Sequence, residues 1–176
     1  MSKSVLVGYA TRYGSTREVA EAVAVTLREC GLAAELQPMR EVRSLAGYSA
    51  LVLGAPLYMF RWHKDARRFL SRHRKAIAER PVAIFALGPV HDPHDESEWE
   101  SSRAQLDKEL AKYPWLEPLA LEIFGGKFDP ENLRWPINLF AGSEPATDIR
   151  EWEAIRTWAG ELAAKFEPAV PPNQEM

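Results

Sequence analysis

The chain holds one cysteine, Cys30, in 176 residues. That excludes an intramolecular disulfide, a thiolate zinc cluster and a cysteine-ligated iron–sulfur centre, and it suits a reducing compartment. Long apolar runs are missing too. The longest, Ala50 to Phe60, contains Gly54 and Pro56 and is about half the roughly 20 residues that a bilayer-spanning helix requires. The apolar stretch Val5 to Val7 behind Lys3 is too short for the centre of a secretory signal. The expected location is therefore the cytoplasm. Two nucleotide signatures are also absent: Gly-x-x-x-x-Gly-Lys-Ser/Thr and Gly-x-Gly-x-x-Gly do not occur, so neither a phosphate-hydrolysing loop nor a dinucleotide fingerprint is present.

What remains is an ordinary globular composition, 46% hydrophobic and 27% charged, of a length that suits one domain. The expected boundaries are a domain over 1–167 and an extended tail over 168–176, where Pro168, Pro171 and Pro172 fall. The net charge of −3 is unevenly spread: Arg61 to Arg80 has eight bases against two acids, a surplus of six that leaves −9 elsewhere. Asp92, Asp95, Glu96, Glu98 and Glu100 form an acidic counterpart with no lysine or arginine before Arg103. Such bipolarity bears on partner choice. Nucleic acid is disfavoured by the overall acidity and the lack of a binding module.

Hydrophobic periodicity alternates between two kinds. Short apolar runs at Val5–Val7, Ala33–Leu36, Ala50–Ala55, Val82–Leu87 and Leu119–Phe124 read as strands. Between and after them, helical stripes run through Val19 to Cys30, Ala66 to Ile77, Trp99 to Tyr113 and Trp152 to Phe166. Five strands alternating with helices predict right-handed crossovers, a parallel sheet covered on both faces, and ligand contacts in the loops at the strand carboxyl ends. Phe128 to Ala146 is the one long irregular connection.

The first of those loops, Ala10 to Thr16, places Thr11, Ser15 and Thr16 around Gly14 at a predicted helix start. Hydroxyl donors, a close-turning glycine and a helix N-terminus suit a phosphate; the same residues also suit a plain cap and turn. Arg12 has two readings, solvent or a charge-assisted contact with an anion. His91, Asp92, His94 and Asp95 are too crowded in one loop, with no second cluster, to form a specific metal site.

The spacing Thr-x-x-Gly-x-Thr after the first strand resembles the FMN phosphate loop of flavodoxins, and two further landmarks match in order. One is the loop Gly54 to Trp62, with Pro56, Leu57, Tyr58 and Met59; the other is Gly88-Pro89-Val90. The resemblance implies an α/β three-layer sandwich with a five-stranded parallel sheet in the order 2-1-3-4-5. It further implies one FMN held by Thr11, Arg12, Tyr13, Gly14, Ser15 and Thr16 at the phosphate, and by the two later loops at the ring. Tyr58 is the matched stacking residue; Trp62 either joins it or anchors the next helix. His63 and His91 sit in ring-side loops, where exposure without a role in proton transfer is the plainer reading. His73 lies on an apolar stripe as a packing residue.

The text ATRYGSTREVAEAVA and LVLGAPLYMFRWHKDARRFL is most similar to the flavodoxin-like protoporphyrinogen oxidases. That likeness implies an oxidoreductase with a carboxylated substrate, a quinone acceptor and peripheral membrane contact. A plain electron carrier is the alternative. The basic stretch Arg61 to Arg80 then has three readings: a solvated face, a docking patch for an acidic redox partner or anionic membrane, or a collector of carboxylated substrate.

Overall fold

The computed structural model describes residues 4–58, 61–130 and 145–169. Its β-branched opening run forms β1 (Ser4–Tyr9), which lies between β2 (Ala34–Pro38) and β3 (Tyr48–Tyr58), parallel to both. A hairpin partner, β4 (Arg61–Trp62), turns back antiparallel on the end of β3. Two more parallel strands, β5 (Val82–Leu87) and β6 (Ala120–Phe124), complete the order β2-β1-β3-β5-β6. This is the expected five-stranded parallel sheet in the order 2-1-3-4-5. A separate antiparallel ribbon pairs β7 (Lys127–Phe128) with β8 (Thr147–Asp148).

Strand side chains alternate between two cores, one on each face. On one face Val5, Val7, Val52 and Phe85 pack under α1 (Ser15–Glu29) and the C-terminal helix, here α5 (Trp152–Phe166). Phe85, Phe124 and Trp158 form an aromatic trio there, with centroids 5.6 to 5.9 Å apart. The ring of Phe85 lies across Gly54, where a Cβ would overlap it. Helix α1 stops at Gly31, φ 90°, whose N–H donates to Arg28 O while Leu32 N–H donates to Leu27 O. That bond pair is the usual glycine-terminated helix end.

On the opposite face Leu6, Leu51, Leu53 and Ile84 pack under α2 (Lys64–Arg72), α3 (Arg74–Ala78) and α4 (Glu96–Leu110). A 3-10 turn, Met39–Glu41, closes the β2 end of this layer. The stripe from Ala66 to Ile77, read in the sequence as one helix, is broken at His73 (φ −107°, ψ 17°). The break has a cause: the buried His73 ring packs on Phe69 and its Nε2 lies 3.3 Å from Val42 O.

The second loop also differs from expectation. Pro56, Leu57 and Tyr58 continue β3, and Leu57 and Tyr58 pair with Trp62 and Arg61. At the C-terminus Glu167–Ala169 form a turn in which Ala169 N–H donates to Phe166 O; the remainder of the expected tail lies outside the described residues. So do Met59, Phe60 and most of the Phe128–Ala146 connection. Among the described residues no helix is long and apolar enough to cross a membrane.

Candidate functional site

Strands β1, β3 and β5 are neighbours, so the three loops singled out by sequence leave one carboxyl edge of the sheet. In the first loop Gly14 takes φ 95° and occupies the cap position of α1, with no side chain capping the helix. Neither Ser15 nor Thr16 is the cap; the first-turn N–H groups are left without a side-chain acceptor. Thr11 holds the turn, its Oγ1 accepting from Gly14 N–H at 2.8 Å, which leaves its own hydroxyl proton available. Thr16 is fully buried and its Oγ1 has no hydrogen-bond partner. Burying an unpaired hydroxyl costs about 1 to 3 kcal/mol. An acceptor placed over this helix start would remove that cost, and a phosphate oxygen is such an acceptor. The first-loop donors therefore fit the phosphate of FMN.

Arg12 and Tyr58 bring the first two loops together. The Arg12 guanidinium carbon stands 4.0 Å above the Tyr58 ring centroid, and its Nε donates to Tyr13 Oη at 2.8 Å. Trp62, the alternative ring-side aromatic, is buried with its indole N–H donating to Ala55 O at 3.0 Å. It anchors the hairpin under α2, the second of its two sequence readings. His63 caps α2, its Nδ1 accepting from Asp65 N–H at 3.1 Å. Burial lowers its pKa first of all; the Asp65 carboxylate opposes this, and Lys64, Arg12 and Arg67 reinforce it.

The third loop is committed largely to its own support. Val90 N–H donates to Glu98 Oε1 at 3.1 Å, Pro89 O accepts from Gly126 N–H at 2.7 Å, and Thr147 Oγ1 donates to Val90 O. A Cβ on Gly88 would come 2.8 Å from Ser102 Cβ, so glycine is needed for the close approach to α4. His91 lies 3.4 Å from Glu98 Oε1. No cluster of three metal-ligating side chains exists among the described residues.

One residue at this edge was invisible to sequence reasoning. The Arg150 side chain is almost fully covered and donates to Ser15 O at 3.3 Å, to Asp148 at 2.7 and 2.9 Å, and to Glu18. Hydrogen bonding to Asp148 raises its pKa, and the Arg150 hydrogen bond lowers that of Asp148. It thereby ties the β8 segment, which supports Val90, to the first turn of α1. The pairing spans 132 positions, and no local pattern announces it.

Beside the Arg12–Tyr58 stack, on the α2 face, opens a cleft of about 1050 Å³ whose cations include Arg12, Arg40, Arg61, Lys64 and Arg68. Asp65 is its sole acid among the described residues.

A doubly wound parallel sheet with an uncapped, hydroxyl-lined helix start at its switch point defines a mononucleotide-type α/β protein. The profile of the flavodoxin domain matches residues 6–136, and the chain belongs to that family. Family membership implies FMN binding. The chain is 25% identical over 174 residues to protoporphyrinogen IX dehydrogenase [quinone] of Escherichia coli (strain K12), covering 90% of this chain and 93% of that one. Its fold matches oxidised flavodoxin 2 of Bacillus cereus with a TM-score of 0.58 at 20% identity, over 93% and 99% of the two chains. It also matches rubredoxin oxygen:oxidoreductase of Desulfovibrio gigas, TM-score 0.55 at 14% identity, over 96% of this chain but only 38% of that larger one.

Proposed function

We propose that the protein is a flavodoxin-type redox protein that binds one FMN and carries electrons between partners in the cytoplasm. The observation behind this reading is the buried, unpartnered Thr16 hydroxyl at the uncapped start of α1. Bound FMN supplies the electron-accepting and electron-donating chemistry. The residues of the chain do the rest. Thr11, Ser15 and Thr16 donate to the phosphate, Gly14 gives the backbone its close turn, and Arg150 fixes the first turn of α1 that carries these donors. Tyr58 offers its ring to the isoalloxazine, contributing about 0.5 to 1.5 kcal/mol beyond area burial, and Pro89 and Val90 flank the ring's polar edge.

The test is Thr16→Val, which keeps the shape and removes the donor. FMN affinity should fall about ten- to hundred-fold, as expected for a lost bond of about 1.5 to 3 kcal/mol to a charged group, while riboflavin affinity stays unchanged. Equal FMN affinity in variant and wild type would falsify the phosphate assignment.

A second reading, oxidation of protoporphyrinogen IX with a quinone as acceptor, is favoured by the end-to-end similarity to the Escherichia coli dehydrogenase. Cations in the α2-side cleft suit the substrate's carboxylates, and peripheral contact with a membrane belongs to this reading. Quinone-dependent turnover of protoporphyrinogen IX by the FMN-loaded protein decides between enzyme and carrier.

A further inference from the structure

The α2-side cleft is not an isolated hollow. A second concavity of about 920 Å³ shares Lys64, Arg67 and Arg68 with it and continues along the helix to Arg72 and Tyr113. Beyond lie Arg74 and Lys75, both exposed. The basic surface thus follows α2 for about 14 Å and reaches the start of α3. Its cations are free in the sense that matters for recognition: Arg12, Arg61, Lys64, Arg68 and Arg72 form no ion pair among the described residues. Two of the basic residues are also engaged in structure: Arg12 stacks on Tyr58 and donates to Tyr13 Oη, and Arg67 donates from Nε to Trp62 O at 3.1 Å.

Shape decides among the anionic occupants. A small-molecule site buries roughly 70 to 90% of its ligand, whereas these hollows are wide, joined and walled by exposed side chains. Joined along α2, they form a long open surface of the kind a protein partner covers rather than an enclosed pocket. A lipid surface is less suited, because Tyr13 is the one exposed large apolar or aromatic side chain at this rim among the described residues. The exposed acids Asp92, Asp95, Glu96 and Glu100 around the start of α4 repel an acidic partner from the neighbouring part of the same sheet edge and so fix its approach.

We propose that the α2–α3 surface docks the acidic face of an electron-transfer protein, bringing it against the Arg12–Tyr58 rim. This rests on the redox reading above and names the partner class for it.

The probe is a fluorescently labelled plant-type [2Fe–2S] ferredoxin, a strongly acidic protein, titrated with the full chain and followed by anisotropy. Arg68→Glu/Arg72→Glu reverses two exposed charges of the surface; Arg103→Glu/Lys108→Glu makes the same change of net charge on α4. Wild-type affinity should fall at least ~10-fold between 20 and 300 mM salt as screening shortens. At low salt the α2 reversal should bind about tenfold more weakly, and the α4 reversal within about twofold of wild type. Circular dichroism spectra of all three proteins should coincide.

Equal weakening by the two reversals, or none by either, overturns the proposal. So does binding to phosphatidylglycerol vesicles without binding to ferredoxin, or tight saturable binding of pyrophosphate or citrate in the cleft that displaces ferredoxin. Anisotropy needs no flavin, so the two readings fail separately. A chain that binds ferredoxin but not FMN defeats the flavin assignment alone, and one that holds FMN but ignores ferredoxin defeats the docking surface alone.

Discussion

Arg150 on one face of the sheet and the α2 arginines Arg68 and Arg72 on the other are set to opposite uses. On the α1–α5 face Arg150 has 4% of its side chain exposed and is bonded to Glu18, Asp148 and a backbone carbonyl. On the α2 face Arg68 and Arg72 stand exposed without ionic partners among the described residues. A cation surrounded by acceptors serves geometry, because removing it strands the groups it satisfies. A cation left in water has nothing to strand, and its field is available to whatever approaches.

The largest effect expected on the structural side comes from the aromatic trio. Phe85→Ala should cost about 3 to 5 kcal/mol of stability, read as a drop in urea midpoint. An equally large loss from any α2 arginine would erase the contrast between the faces.

Next in size is Arg150→Met. Losing a buried charged hydrogen-bond donor should cost about 1.5 to 3 kcal/mol and weaken FMN while sparing ferredoxin affinity. Arg68→Met should lie within about 0.5 kcal/mol of wild type, as for surface substitutions generally. Acid titration of the melting temperature sharpens the distinction. Because Arg150 depresses the pKa of Asp148, their bond contributes fully above the ordinary aspartate value of about 3.9. It is lost as pH falls from there through the depressed value. That acid-side slope should shrink in Arg150→Met and persist in Arg68→Met.

The smallest effect belongs to two histidines on the α2 face. Burial lowers the pKa of both His63 and His73, so the unfolded chain takes up their protons more readily than the folded one. Stability is then full above about pH 6.5 and declines as pH falls from there through the lowered values. His63→Asn with His73→Gln, which retain an acceptor at the cap and a donor to Val42, should flatten the melting profile between pH 7.5 and 5. An unchanged profile would show that neither ring is proton-poor in the fold.

Much of this arrangement was legible in the chain. Apolar runs such as Val82 to Leu87 became buried strands because a strand covered on both faces has no other composition available. Thr11, Gly14 and Thr16 were readable because a turn, a left-handed backbone and a helix start leave local marks. In the sequence the stretch after Ala55 reads as a loop, since Gly54 and Pro56 conceal a strand whose continuation through Leu57 and Tyr58 depends on pairing with Trp62 and Arg61. The helix break at His73 was hidden for a similar reason: the stripe from Ala66 to Ile77 keeps helical spacing, and the interruption comes from a contact with Val42, 31 positions away. Arg150 was beyond reach because its meaning lies in Glu18 and Ser15, brought near only by the finished fold.

The anchoring of Trp62 reaches further than the burial of one indole. Its ring nitrogen is fastened to Ala55 O, its carbonyl receives Arg67, and the next residue's amide donates to Pro56 O. The Tyr58 hairpin and the first turn of α2 are consequently stitched into one piece, which should open and close as a cooperative unit in amide hydrogen exchange. Pressure applied to the helix by a docked molecule would then be felt at the tyrosine as a displacement of the whole lever, and the protection of Leu57, Tyr58 and His63 amides should rise together when the helix is occupied.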